Sequence, residues 1–112
     1  MSSTSEINFK VQLDDNKIPE TIKWNATDSE GGTSHGLLLG IWDPKTAHTL
    51  KIDLWTKEMT VDDMKRFFHQ TLLTMADSFE RATNEHEMAT DMREFSRYFG
   101  EQMGLLTPNR QG

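Results

Sequence analysis

The stretch "KIDLWTKEMTVDDMKRFFHQTL", Lys51 to Leu72, holds three aspartates, a histidine, a tryptophan and two phenylalanines. It is either an acid/base site or a strand running into a helix. Its periodicity decides for the second. Up to Trp55 apolar residues alternate with polar ones, the period of a strand. From Thr60 they recur at three- and four-residue steps, the period of an amphipathic helix. Thr60 followed by Asp63 has the spacing of a capping box, with Met59 and Met64 placed as a hydrophobic staple around it. Asp62 and Asp63 then fall in the first helical turn, where the macrodipole favours negative charge. A structural role accounts for both.

Upstream, "EINFKVQLD" alternates, with Ile7, Phe9, Val11 and Leu13 on one face, as in a one-sided antiparallel strand. "DDNK" is turn chemistry. Ile22, Trp24 and Ala26 form a second inward-facing set, with Pro19 at the strand's start because it offers no ladder donor. "DSEGGTSHG", Asp28 to Gly36, reads as a flexible loop. "GLLLGIWD" is apolar on both faces and pairs across "DPKTAH" with "HTLKIDLWT". Setting Leu37 opposite Leu54, Leu39 opposite Ile52 and Ile41 opposite Leu50 gathers six apolar residues on one face. Leu38, Trp42 and Trp55 then share the other face with Lys51 and Asp53.

Downstream, Val61, Met64, Phe68, Leu72, Met75 and Phe79 form one stripe, and Met88, Met92, Phe95, Phe99 and Met103 another. Asp62–Arg66 and Asp77–Arg81 are spaced as favourable pairs. Asn84 and Glu87 repeat the capping-box spacing, and Gly104 is a C-terminal stop with Leu105 or Leu106 folding back. The expected fold is α+β: a four-stranded antiparallel sheet of two hairpins, then a C-terminal helical hairpin packed on one face. A curled, barrel-like sheet is the variant left open. Residues 1–112 are expected to form a single domain, with a folded core over 5–105 and a frayed tail over 106–112.

The 112 residues carry a net charge of −6. Residues 1–59 and residues 60–112 each hold nine acids and six bases, so no basic face is set aside for phosphates and nucleic-acid binding is not expected. Without cysteine there is no disulfide, thiolate metal site or thiol nucleophile. No apolar run approaches the roughly 20 residues of a membrane span, and "MSSTSEINFK" lacks a secretory pattern. A soluble cytoplasmic protein without membrane insertion is the expectation.

Catalytic signals are weak. Asp53, Asp62, Asp63 and His69 are the residues that a small hydrolase or metal enzyme would use, but His69 on the flank of an apolar stripe fits a packed residue better than a base. "HEMATD" fails as a zinc helix because Thr90 stands where a second histidine is required. "SEGGTSHG" lacks the lysine–hydroxyl pair of a phosphate loop. No cofactor or metal is expected. Leu38, Trp42 and Trp55 fit two readings equally: a protein interface, or residues covered by a loop or by sheet curvature. An adaptor that captures an extended peptide along a sheet edge is a third class.

The blocks "IKWNATD", "LKIDLWTKEM", "DDMKRFFHQTL", "MADSFERAT" and "YFGEQMG", spread from about Ser5 to Leu105, resemble the gliding motility protein GldC family. The resemblance implies a small cytoplasmic accessory protein of the bacterial gliding machinery, with no enzyme activity and no site residue to carry over. It implies a protein partner within that apparatus, and self-association through the sheet is a further expectation. Elemental analysis of the purified protein is expected to find no stoichiometric transition metal; a full equivalent of zinc would overturn that reading.

Overall fold

The structure, a computed structural model, describes residues 3–107. From residue 108 on, the expected frayed tail lies outside the described residues. The chain divides into a strand unit, Met1–Met59, and a helical unit, Thr60–Gly112. Among the described residues it is α+β with antiparallel strands and two helices, but the strands form a three-stranded and a two-stranded sheet, not one four-stranded sheet.

In the first sheet, β1 (Ile7–Leu13) pairs with β2 (Pro19–Ala26), which pairs with β3 (Ser29–Ser34). The β1–β2 turn is built by Asp14, whose Oδ1 accepts the N–H groups of Asn16 at 2.8 Å and Ile18 at 3.0 Å. Lys17 takes the left-handed conformation there. Strand β3 is the correction to the expected loop. "SEGGTS" has no apolar face to betray it, yet its backbone satisfies β2, with Ile22 opposite Ser34 and Trp24 opposite Gly32. The register slips between Trp24 and Ala26, and Gly31 sits at this bulge with φ +76°. A Cβ on Gly31 would lie 1.7 Å from the Trp24 carbonyl oxygen, so only glycine fits. Ile22 is fully buried, whereas Trp24, expected in the core, keeps about a third of its surface exposed.

The second sheet is the hairpin of β4 (Gly36–Asp43) and β5 (His48–Trp55). Its register is the one the apolar parity predicts: Leu37 opposite Leu54, Leu39 opposite Ile52, Ile41 opposite Leu50. The connecting loop is closed by Asp43, which accepts the Lys45 N–H on Oδ1 and the Ala47 N–H on its carbonyl, both at 2.9 Å.

In the helical unit, α1 (Val61–Thr83) starts with the capping box the spacing predicts. The Asp63 N–H donates to Thr60 Oγ1 at 3.0 Å, and the Thr60 N–H reaches Asp63 Oδ2 at 3.5 Å. The second predicted box does not form. Asn84 is instead the left-handed C-cap of α1, its N–H donating to the Glu80 carbonyl, and α2 (His86–Gln102) begins after Glu85 with no side-chain cap. Asparagine tolerates the left-handed region, and that conformation ends a helix. At the far end Gly104 has φ +74°, and the Leu105 N–H donates to the Gly100 carbonyl at 2.8 Å while the Gly104 N–H donates to that of Glu101 at 3.2 Å. This is the Schellman pattern, so the predicted stop holds.

The most deeply buried positions of the two helices are mostly small residues. Ala76, Ala89, Ser96 and Gly100 are buried, while Phe68, Met75 and Phe95 of the expected stripes are exposed. The His69 ring stacks on Phe99, centroids 6.3 Å apart, and a Cβ on Gly100 would come within 2.8 Å of His69 Nε2. Arg93 clamps the hairpin, donating to Asp77 at 2.9 Å and to Glu80 at 2.7 Å, and His86 Nδ1 lies 2.9 Å from the other Glu80 oxygen. The predicted pairs along α1 give way to this cross-helix one: Asp77 bonds Arg93 rather than Arg81, and Arg66 approaches Asp63.

Two outcomes follow from these contacts. Thr60→Ala is expected to cost about 0.5–2 kcal/mol through loss of the cap, read as a lowered urea midpoint; an unchanged midpoint would place the start of the helix elsewhere. Hydrogen bonds from Arg93 and His86 lower the Glu80 pKa from the ordinary 4.5 to about 2. A depressed carboxylate stabilises the fold fully above its unfolded pKa and loses that contribution as pH falls through its folded one. The denaturation midpoint is therefore expected to drop between pH 4.5 and pH 2 less steeply in Glu80→Gln than in the parent chain.

Candidate interaction surface

The face that carries Leu38, Trp42 and Trp55 is set by backbone pairing. Gly36 stands opposite Trp55, Leu38 opposite Asp53, Gly40 opposite Lys51 and Trp42 opposite Thr49. Side chains of one parity share one face of an antiparallel pair, so all eight positions look the same way. Trp42 is 63% exposed and Trp55 53%, and Leu38 is half-buried. Gly36 and Gly40 offer no side chain to lean on, which leaves the indoles standing from the sheet.

The three residues are not one contiguous patch. Trp55 and Leu38 are diagonal neighbours at one end of the hairpin. Trp42 lies about 20 Å from Trp55 along the strand direction, at roughly 3.4 Å per residue. Between them the Lys51 ammonium pairs with the Asp53 carboxylate. The surface is thus apolar at both ends and charged in the middle.

The opposite face carries a feature that parity alone does not reveal. Leu50, Ile41 and Ile52, expected to be inward, are 60%, 45% and 43% exposed. Alternation reports which residues share a face; it does not report whether anything covers that face. The hairpin therefore presents large apolar side chains on both sides.

The residues of the enzyme alternative each have a local role. Asp53 is held by Lys51. Asp63 caps α1 and Asp62 is exposed in the same turn. His69 is buried against Phe99 and Gly100, and its Nε2 makes no hydrogen bond. Arg66, His69, Gln70, Gly104 and Leu105 line a shallow cavity of about 280 Å³, which none of those aspartates lines. Among the described residues, no group of three His, Cys, Asp or Glu side chains is placed to hold a metal ion. No described helix is long and apolar enough to cross a membrane.

What the geometry defines is an α+β protein of antiparallel strands and a helical hairpin, with its two most exposed tryptophans, Trp42 and Trp55, on one strand pair. The family model described as gliding motility-associated protein GldC-like matches residues 19–105, from the start of β2 to the turn after α2, and the chain belongs to that family. No curated protein and no solved structure matches it.

Proposed function

We propose that this chain is a non-catalytic, cytoplasmic accessory protein of the bacterial gliding machinery that works by binding a protein partner of that apparatus. Membership of the GldC-like family supports the setting. The observation that carries the interaction is the exposure of Trp42 and Trp55 on the outer face of β4–β5. Indoles left in water are the residue type that dominates protein–protein binding energy once a partner covers them. Leu38 extends the Trp55 end of this surface. The Lys51–Asp53 pair at its centre has the character of an orienting contact, which adds specificity more than affinity.

The test separates binding from folding. Trp42→Ala or Trp55→Ala is expected to weaken capture of the partner from native cytoplasm by about 2 kcal/mol or more where the indole is a hot spot. Each is expected to change the stability of the isolated chain by no more than about 0.5 kcal/mol, as at an exposed site. Ile22→Ala, at a fully buried position, is the comparison and is expected to cost about 2–5 kcal/mol. If both tryptophan variants unfold as readily as Ile22→Ala, the residues are core and the interface reading is wrong.

A further inference from the structure

The outer edge of β4 is built to pair with a second strand. The His35 carbonyl accepts the Thr56 N–H at 2.9 Å, which sets the phase of the ladder. Odd-numbered residues of β4 turn their backbone groups toward β5, and Gly36, Leu38, Gly40 and Trp42 turn theirs outward. Those of Gly36 are met by the Ser34 hydroxyl, which donates to its carbonyl at 2.6 Å and accepts its N–H at 3.2 Å. Among the described residues the ladder ends with β4, because its sheet has two strands. Free edges in stable monomers are blunted by charge, proline or bulges. The β5 edge has Lys51 and Asp53, whereas β4 has no charge from Gly36 through Trp42 and its register with β5 is unbroken. A two-stranded hairpin is also below the three or more strands that stand alone in water.

We propose that the occupant of this edge is a second copy of the chain, with β4 pairing antiparallel to β4 of the partner about a two-fold axis at Leu39. The strand is self-complementary in that register. On one face Leu39 meets its own equivalent, Leu37 meets Ile41, and His35 meets Asp43, an imidazole against a carboxylate. On the other face Leu38 meets Gly40 and Trp42 lies over Gly36, so neither large side chain faces another. Leu38 and Gly40 exchange backbone hydrogen bonds across the axis. Moving the axis by one residue to Gly40 sets Leu37 against Asp43 and breaks the match. The product is a four-stranded sheet, β5–β4–β4–β5. This contact uses the strand's edge and reaches the outer face only at Leu38 and Trp42, so Trp55 stands apart from it.

The chain has no cysteine, so single cysteines report the axis directly. Facing residues of a non-hydrogen-bonded antiparallel pair are about 4.5 Å apart at Cα, within disulfide range. Leu39→Cys is expected to crosslink to a covalent dimer under mild oxidation, and Gly40→Cys to crosslink far less. On the unmodified chain, sedimentation is expected to give twice the chain mass. Hydrogen exchange is expected to show the Leu38 and Gly40 amides protected in the dimer and released on dilution, with the Leu37 and Leu39 amides protected in both. A monomer at every concentration, a dimer with Leu38 and Gly40 unprotected, or preferential crosslinking at Gly40 would each overturn the proposal. Protection of those amides only when a partner protein is added, with the chain itself monomeric, would assign the edge to peptide capture and overturn it too. Trp55 lies on β5 and takes no part in this contact, so capture by the Trp55→Ala variant is independent of these outcomes and the two readings fail separately.

Discussion

The pairing of β4 with β5 is the constraint on which the exposed tryptophan face depends. In an antiparallel pair the register determines which side chains share a face, and the phase of the ladder determines which backbone groups face the next strand. Setting Leu37 opposite Leu54 places Trp42 and Trp55 on the face shared with Lys51 and Asp53. The phase set by the Thr56 to His35 hydrogen bond turns the amides of Leu38 and Gly40 outward. A slip of one residue would exchange the faces and move the tryptophans among the leucines and isoleucines. The four-residue loop closed by Asp43 holds the register from one end, and the Thr56 to His35 hydrogen bond continues it past the other.

How far the fold was legible follows from what each element is made of. The β4–β5 register was legible because six apolar residues of one parity fit only one alignment. Strand β3 was not, because a strand of Ser, Glu, Gly and Thr is held by backbone hydrogen bonds, and pattern reading detects side chains. Its glycines pointed to a loop, when Gly31 instead allows the close approach to Trp24. In the helices the large residues carry the pattern, yet the buried positions are Ala76, Ala89, Ser96 and Gly100, with His69 the one large exception. Small residues let two backbones approach and carry little hydrophobic signal of their own. Asn84 is ambiguous for a related reason: the residue type suits both ends of a helix, and only its left-handed φ decides between them.

The candidate site was legible by parity and illegible by cover. The period of two assigned Leu38, Trp42 and Trp55 to a common face, and the pairing agrees. The exposure of the other face was invisible, because amphipathic alternation predicts an inside only if something stands there. The aspartates of the opening stretch show the converse. They were legible as structure, since a cap needs an acceptor at a fixed spacing and Asp63 supplies it. What catalysis would require, a carboxylate directed at the His69 ring, is a through-space relation that spacing along the chain does not report. Nε2 of that ring is packed against Gly100 without a hydrogen bond.

The arrangement of the outer face also constrains what can cover it. Indoles at both ends and an ion pair between them make a surface that a uniformly apolar partner would match poorly. Covering Lys51 and Asp53 without a polar partner removes two charges from water, and that desolvation is costly even for a paired group. A partner strand or helix must therefore bring apolar cover to the Trp42 and Trp55 ends and polar groups to the middle. The spacing of about 20 Å between the two ends corresponds to roughly four turns of helix or six residues of strand. A contact that long along one direction favours an extended element over a compact knob, and the central ion pair gives it a register.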